Sequence, residues 1–182
     1  DSRIGESYLQ PGPGFGGPCL EKDLNALNNL AKNRGLSLKI FKEVLERNNV
    51  QIDEIIRKIE KNVNINDSLI TIWGLSFKAG TDDTRNSSSV RLIENLSALN
   101  AKIKVFDPVA TLKSSIPKNL EISENPYLSV ENSDSLVIMT EWPEFLEYDY
   151  SRIFQSMKGK NIVDARGILD SSFIKSLGFS YS

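Results

Sequence analysis

The sequence predicts an α/β protein with two parts, an N-terminal helical region with a long helix and then a doubly wound domain with a parallel sheet. In the first third of the chain, leucines and isoleucines recur at three- and four-residue spacing, which is typical of amphipathic helices. From about residue 66, short apolar runs alternate with amphipathic stretches, which is typical of a parallel sheet covered by helices. We expect the two parts to span residues 1–65 and 66–182.

The helical region is expected to begin after a loop. Glycines and prolines are frequent in residues 1–18 and break helices and strands alike. From Cys19 onward, leucines at helical spacing predict a first helix, and Gly35 marks its end. A second, longer helix is expected over most of 37–62, with Ser37 as its N-cap. Its apolar face is broad for a helix that serves only a small domain, so we expect part of it to pack against another chain.

The sheet domain is expected to contain four strands. They are Ser68–Trp73, Lys102–Phe106, Leu136–Thr140 and Asn161–Asp164. An amphipathic helix is expected over Ser87–Leu99, and helical or irregular segments are expected at 109–115, 126–132, 149–157 and 170–177. In such folds, ligands bind beyond the carboxyl ends of the strands. The segments that directly follow the strands are therefore where a functional site is expected.

Composition and charge exclude several classes of function. The chain has 22 Lys and Arg against 24 Asp and Glu, with no basic cluster, which argues against nucleic-acid or anionic-membrane binding. No stretch approaches the ~18 apolar residues of a membrane span, and the first ten residues do not form a signal peptide, so we expect a cytoplasmic protein. One Cys and no His remove Ser/His and Cys/His nucleophile pairs and almost every zinc site.

The stretch from Gly14 to Asp23 (GFGGPCLEKD) is the first candidate for a reactive site. Its glycines allow the backbone to approach a ligand, and they lead into the start of a helix, where the positive dipole end lowers a thiol pKa. Cys19 is therefore placed to be a thiolate, with Lys22 and Asp23 one turn further on. The alternative is that Cys19 is a small buried hydrophobic residue.

Two loops that follow predicted strands could bind an anion. Residues 74–85 lie between a strand and a helix, where a doubly wound fold places phosphate, and Lys78 and Arg85 could supply the counter-charge. The alternative is a surface loop with an Asp or Thr helix cap. Arg166 follows the last predicted strand, and its planar guanidinium suits a phosphate or a sugar hydroxyl. The alternative there is a surface salt bridge to Asp164 or Asp170.

Six motifs occur in order along the chain. They are SRIG at Ser2–Gly5, GFGGPCLEKD at Gly14–Asp23, GLSFKAGTDDTRNSSS at Gly74–Ser89, FDP at Phe106–Pro108, TEW at Thr140–Trp142 and DARGILD at Asp164–Asp170. Each motif alone is weak, but in this combination the chain resembles the UDP-glucose/GDP-mannose dehydrogenase family. The resemblance implies oxidation of the C6 hydroxyl of a nucleotide-linked hexose to a carboxylate, with two NAD.

The resemblance also implies the organisation of a longer enzyme. The family has an N-terminal Rossmann domain for NAD, a central helical region that forms a dimer through a long helix, and a C-terminal Rossmann-like domain that holds the UDP-sugar. We expect only the last two here, since no strand followed by G-x-G-x-x-G precedes the cysteine motif. NAD would then be bound mostly by the absent domain, and the fragment alone would be an inactive homodimer without a metal.

The resemblance assigns the catalytic roles to the cysteine motif. Cys19 matches the nucleophile, which adds to the C6 aldehyde as a thiohemiacetal, and oxidation then gives a thioester that water hydrolyses. Asp23 matches the carboxylate that positions or activates this water. Lys22 matches a residue close to NAD and the active site, and Arg85 matches one that reaches the NAD pyrophosphate.

Substrate-binding positions are implied in the same way. The residues that match positions around the nucleotide sugar are Arg3, Tyr8, Leu9, Gln10, Phe15, Gly16, Phe77, Lys78 and Arg166. Of these, Arg3 matches an arginine that reaches into the substrate site of the neighbouring subunit. The resemblance therefore makes the dimer part of the site.

Two departures from the family pattern leave the exact sugar open. Pro18 stands where Ser is usual, and Leu20–Asp23 replaces the more common Phe-x-Lys-Asp or Leu-Pro-Lys-Asp. Lys22 followed by Asp23 argues against the branch that oxidises N-acetylhexosamines, and SRIG favours UDP-glucose over GDP-mannose. A different class of function is the alternative: a free-standing nucleotide-sugar-binding or dimerisation module that never had an NAD domain.

Overall fold

A parallel sheet of six strands organises the computed structural model, which describes residue 5, residues 9–112 and residues 117–182. Within these residues the α-helices are α1 (Leu20–Lys32), α2 (Lys39–Glu60), α3 (Ser88–Ala98), α4 (Pro126–Ser129), α5 (Tyr150–Ser156) and α6 (Ser171–Ser176). The strands are β1 (Leu69–Trp73), β2 (Lys102–Phe106), β3 (Leu120–Ile122), β4 (Ser135–Ile138), β5 (Asn161–Asp164) and β6 (Ser180–Tyr181). A short 3-10 helix spans Pro143–Leu146.

The strands lie in the order β3-β2-β1-β4-β5-β6, and every neighbouring pair is parallel. All carboxyl ends therefore meet at one edge of the sheet. The chain runs outward in one direction through β2 and β3 and in the other through β4 to β6, so the topological switch point lies between β1 and β4. The predicted doubly wound α/β class is confirmed.

Apolar side chains cover both faces of the sheet. One cluster joins the sheet residues Ile70 and Ile72 to α3 and to the last half of α2, including Ile59. The other joins Trp73 to the short 3-10 helix and to α5. Because α2 shares a core with the sheet, the two predicted parts of the chain are packed together, and the division at residues 65 and 66 stays a prediction.

Several local expectations differ from the structure. The strands β3 and β6 were not predicted, since segments of three and two residues are too short to show an apolar pattern. The strand expected at Leu136–Thr140 runs from Ser135 to Ile138 instead. Ser37 as the N-cap of the long helix is wrong, because Leu38 occupies that position without a side-chain hydrogen bond.

The remaining helical segments are close to expectation. The segments 126–132, 149–157 and 170–177 contain α4, α5 and α6. Residues 109–112 contain no helix, and the rest of the segment 109–115 lies outside the described residues. No helix in the described ranges has the length and apolar character needed to cross a bilayer.

Candidate functional site

The glycine-rich loop of residues 9–18 packs so closely against the carboxyl edge of the sheet that a side chain would not fit at three of its glycines. A Cβ added at Gly12 would lie 2.8 Å from Arg166 Nη1, one at Gly16 2.5 Å from Asn86 O and one at Gly17 2.9 Å from Phe77 Cδ2. Gly17 also has a φ of +83°, which glycine adopts most readily. The loop therefore lies directly on the segments that follow β1 and β5.

Asn48 of α2 anchors this loop from the other side. Its Oδ1 accepts a hydrogen bond from Phe15 N at 2.8 Å, and its Nδ2 donates to Phe15 O at 3.0 Å. Asn48 is buried, so the pair satisfies a side-chain amide that would otherwise be costly to bury. Sequence reasoning missed Asn48, although a polar residue on an apolar helix face could have drawn attention to it. Both backbone polar groups of Phe15 are used by this contact.

Cys19 lies at the surface, at the N-cap position of α1. Its carbonyl accepts the hydrogen bond of Asp23 N at 2.9 Å, which closes the first turn. Lys22 Nζ lies 3.3 Å from Asp23 Oδ1, and both side chains are exposed. The alternative of a buried hydrophobic cysteine is wrong, and the three residues share one exposed helix turn.

Arg85 is brought close to this turn. Its guanidinium makes a two-pronged ion pair with Asp83, with Nε 3.0 Å from Oδ1 and Nη2 2.6 Å from Oδ2, while 72% of the side chain stays exposed. The hydrogen bond and charge of Asp83 raise the pKa of Arg85. The next residue, Asn86, donates a hydrogen bond to Glu21 in the first turn of α1, so Arg85 adjoins a residue that contacts this turn.

A depression of about 630 Å³ lies beside Arg85. It is lined by residues 81–86 together with Val90 and Leu112. An exposed guanidinium next to threonine hydroxyls suits the oxygens of a pyrophosphate. The guanidinium is already paired with Asp83, however, and Asp82 also lines the depression, so the contact with NAD that the resemblance implies for Arg85 stays a prediction.

Arg166 is a largely buried cation of the site, with 17% of its side chain exposed. Its Nε donates to Met139 O at 3.1 Å and lies 2.9 Å from Glu141 Oε2, and its Nη2 donates to Phe77 O at 3.3 Å. Burial lowers the pKa of Arg166, and the charges of Glu141 and Asp164 oppose this shift. A cation is thus held between the segments that follow β1, β4 and β5.

The alternative of a surface salt bridge from Arg166 to Asp164 or Asp170 is wrong. The ion pair of Arg166 is with Glu141, whereas Asp164 Oδ1 accepts from Arg166 N and from Gly167 N. Asp164 Oδ2 accepts from Tyr181 Oη at 2.8 Å, and burial followed by this hydrogen bond raises the pKa of Tyr181. Asp164 therefore shapes the loop, and Asp170 caps α6.

The segment after β1 carries Phe77 and Lys78. Phe77 N donates to Asp83 O at 3.1 Å, and Lys78 Nζ lies 5.6 Å from the centre of the Phe77 ring. Lys78 is exposed, so its charge faces the solvent beside the glycine-rich loop. The helix that follows is capped by Ser87 Oγ, and the alternative of an Asp or Thr cap is wrong.

Asp107, at the end of β2, joins three of these segments. Its Oδ2 accepts from Leu75 N at 2.7 Å, Ser76 N at 3.2 Å and Trp142 Nε1 at 3.2 Å. Its Oδ1 accepts from the two backbone N–H groups that follow Pro108. The N–H groups of Leu75 and Ser76 are those that a phosphate after β1 would need. Sequence reasoning quoted the FDP motif but gave Asp107 no role.

Of the other expected site residues, the structure describes some but not all. Leu9 and Gln10 lie at the surface, at the start of the glycine-rich loop. Arg3 and Tyr8, with Ser2 and Ile4 of the SRIG motif, lie outside the described residues. Within the described ranges, no group of three or more Cys, Asp or Glu side chains could hold a metal ion.

Comparison with protein families gives two matches along the chain. The model for the UDP-glucose/GDP-mannose dehydrogenase family, UDP binding domain, matches residues 71–171. The model for the central domain of the same family matches residues 1–50. The first match alone covers more than half of the chain.

Curated relatives match over the whole chain. The UDP-glucose 6-dehydrogenase of Rickettsia typhi is 38% identical over 188 residues, which cover 100% of this chain and 43% of that protein. A putative UDP-glucose 6-dehydrogenase of Bacillus subtilis is 35% identical, with 98% and 42% covered. The chain thus spans about two-fifths of the length of these relatives.

Solved structures of similar fold belong to related dehydrogenases. A UDP-glucose dehydrogenase from Pyrobaculum islandicum superposes with a TM-score of 0.81 at 28% identity, over 99% of this chain and 41% of that one. A GDP-mannose dehydrogenase from Pseudomonas aeruginosa, solved as a ternary complex, gives 0.73 at 27% identity, over 93% and 40%. Both likenesses extend through the helical region and the sheet.

Proposed function

Because the chain belongs to the UDP-glucose/GDP-mannose dehydrogenase family, we propose that it is the central and C-terminal part of an NAD-dependent nucleotide-sugar 6-dehydrogenase. The proposed substrate is UDP-glucose, which is oxidised at C6 to the uronic acid. One observation carries the proposal: the loop that leads to Cys19 lies directly on the residues that follow β1 and β5, including Phe77 and Arg166. This supports a site in which the proposed nucleophile lies near the side chains that we propose to bind the diphosphate.

The UDP-sugar is proposed to lie between the glycine-rich loop and the segments that carry Phe77, Lys78 and Arg166. Two cations there complement the charge of a diphosphate. The backbone N–H groups of Leu75 and Ser76 donate to Asp107 and are therefore not available to a phosphate. We therefore propose that the diphosphate lies on the β5 side, near Arg166. The remaining proposed contacts are those of Arg3 from the neighbouring subunit and of Tyr8, Leu9, Gln10, Phe15 and Gly16.

Cys19 is proposed to carry the covalent chemistry. Its sulfur adds to the C6 aldehyde carbon, and the resulting thiohemiacetal is oxidised to a thioester. Water then bonds to C6, the C–S bond breaks, and the thiolate of Cys19 is restored as the carboxylate forms. Asp23, one turn away, accepts the proton of this water.

NAD, when bound, supplies the acceptor for the two hydrides that leave C6. On this chain, Arg85 and Lys22 are proposed to contact it, since both are exposed beside the turn that carries Cys19. Most of the NAD contacts would come from a domain outside this chain. The 182 residues alone would then be inactive, and a cytoplasmic location stays a prediction.

A homodimer is proposed to form through the helical region. Large apolar side chains that remain exposed on and beside α1 and α2 are Leu20, Leu27, Leu30, Leu36, Ile40, Val44 and Val50. Such a group of apolar side chains is typical of a surface that another chain covers. The C-terminal half of α2 already packs on the sheet, so its first half is the part available for a partner.

The complete protein, assayed with NAD on a panel of sugar nucleotides, tests the proposed activity. We expect UDP-glucose to yield the uronic acid with two NADH per sugar, and GDP-mannose and UDP-N-acetylhexosamines to react much more slowly. Binding of UDP-glucose without any NADH would instead support a binding module. Faster oxidation of GDP-mannose would keep the reaction class and overturn the choice of sugar.

A further inference from the structure

A polar contact joins the first turn of α1 to α3. Glu21 Oε2 accepts a hydrogen bond from Arg91 Nη2 at 2.5 Å and another from Asn86 Nδ2 at 3.2 Å. The side chains of Glu21 and Arg91 are only 31% and 22% exposed, so solvent screens this ion pair less than a pair on the open surface. We call the contact between Glu21, Asn86 and Arg91 the Glu21 clasp.

Apolar packing holds α1 weakly. Of its 13 residues, Ala31 near the C-terminal end is the one that is buried, while Leu20, Leu27 and Leu30 are exposed. The hydrophobic effect therefore fixes the far end of α1 better than the end that carries Cys19. Near the Cys19 end, where Leu24 is half-buried, the Glu21 clasp is a polar side-chain contact that reaches the sheet domain.

The Glu21 clasp also joins the turn that carries Cys19 to the segment that carries Arg85 and Asn86. Asn86 directly follows Arg85, and the glycine-rich loop touches the Asn86 carbonyl at Gly16. The Glu21 clasp therefore holds the turn that carries Cys19 against the segment that carries Arg85 and against the loop that leads to Cys19. Displacing the first turn of α1 would change the distance between Cys19 and every group on the sheet domain.

We propose that Glu21 is a positioning residue for Cys19: through Arg91 and Asn86 it holds the nucleophile in place against the sheet domain. This inference rests on the proposed function, in which Cys19 attacks the C6 aldehyde. Covalent attack needs a near-contact geometry, so a displacement of about 1 Å can cost a hundredfold in rate.

Two single substitutions distinguish positioning from a direct effect of charge. Glu21→Gln removes a negative charge near Cys19, whereas Arg91→Gln removes a positive one. If the charges acted on the thiol directly, the two changes would have opposite effects on the rate. If the Glu21 clasp positions Cys19, both changes lower the rate.

The kinetic test uses the complete protein with UDP-glucose and NAD. We expect kcat to fall about tenfold to a hundredfold in each single variant, with the KM for UDP-glucose within about twofold of the unsubstituted value. The double variant should be no slower than the slower single variant, because the clasp is lost only once. Opposite changes in kcat, or additive losses, would overturn the proposal.

The matched control is the ion pair between Glu54 and Arg57 within α2, with a distance of 2.9 Å. Glu54→Gln and Arg57→Gln remove the same charges from an exposed pair, and we expect kcat to stay within about twofold. A loss of rate there equal to that of the clasp variants would contradict a role specific to Glu21.

Amide hydrogen exchange of this chain gives a readout that needs no activity. We expect the amides of residues 24–28 to exchange faster in both clasp variants and to be unchanged in the control variants. Unchanged exchange in the clasp variants would overturn the proposal. An unsubstituted protein that fails to oxidise UDP-glucose would overturn the proposed function, while the exchange data would still decide whether the clasp holds α1.

Discussion

At the scale of single residues, Arg166 shows how the fold places a charge where a ligand could use it. Its guanidinium donates to two backbone carbonyls and pairs with Glu141, so its direction is fixed before any ligand binds. Burial lowers the pKa of Arg166, but the ordinary value for arginine is so high that the side chain stays charged at neutral pH. The cation is therefore preorganised, which reduces the cost of ordering it on binding.

Arg166→Lys tests this preorganisation. A lysine carries the charge but lacks the planar guanidinium whose separate N–H groups reach Met139 O and Phe77 O in fixed directions, so we expect UDP to bind at least about tenfold more weakly. Isothermal titration of UDP into the chain measures the change. The control is Arg152→Lys, an arginine whose guanidinium carbon lies 4.0 Å from the centre of the Tyr127 ring. Equal affinity in the Arg166 and Arg152 variants would remove Arg166 from the site.

At the scale of elements, the loops at the carboxyl edge depend on one carboxylate. Asp107 accepts hydrogen bonds from the segments after β1, β2 and β4, so it fixes the start of the segment that carries Phe77 and Lys78. Backbone N–H groups that lose a buried partner are costly, whereas the carboxylate satisfies several at once. The loop after β1 is therefore held by the end of β2.

Asp107→Ala should lower the free energy of unfolding by about 2–4 kcal/mol, since several charge-assisted hydrogen bonds are lost. UDP affinity should fall as well, because the segment before Phe77 loses its support. Urea denaturation and titration with UDP measure the two effects. Asp53→Ala, at an exposed position of α2, is the control and should change neither. A stable Asp107 variant with normal UDP affinity would contradict this role.

The elements also show what could be read from the sequence. Long helices and buried strands carry enough periodic residues to be predicted, whereas β3 and β6 are too short. The roles of Asn48 and Glu21 could not be predicted, because their hydrogen-bond partners lie 33 and up to 70 positions away in the chain. Asp107 belongs to the same group, since it meets the loop after β1 only once the sheet has formed.

At the scale of the whole molecule, one part of the helical region packs against the sheet and another part is exposed to solvent. The sheet covers the C-terminal half of α2, while Ile40 and Val44 in its first half remain exposed. We therefore expect a sedimentation equilibrium mass of twice the 20.4 kDa of one chain. Ile40→Glu with Val44→Glu should give the mass of a single chain, because the charges would be buried without partners.

The same charge placed elsewhere gives the control for the dimer. Val109→Glu introduces a charge at an exposed apolar side chain of the sheet domain and should leave the dimer intact. A monomer at high concentration in the unsubstituted chain would contradict the proposed dimer. So would a dimer that persists in the variant with both helix substitutions.

The candidate site is assembled from four distant parts of the chain. The sequence motifs identified each of these segments but not how they lie relative to one another. The glycine-rich loop and the start of a helix make Cys19 a candidate thiolate, and the resemblance to a known family adds the expected role of nucleophile. The exposure of Cys19 is seen only in the folded structure. The proposed mechanism therefore depends on Cys19.

Replacing Cys19 by serine in the complete protein (Cys19→Ser) and measuring formation of the uronic acid tests the covalent role of this residue directly. A serine hydroxyl cannot pass through a thioester, so we expect formation of the uronic acid to be abolished. UDP-sugar affinity should stay within about tenfold, or about 1.4 kcal/mol, because the proposed diphosphate contacts are made by other residues. Near-normal formation of the uronic acid by this variant would contradict the mechanism.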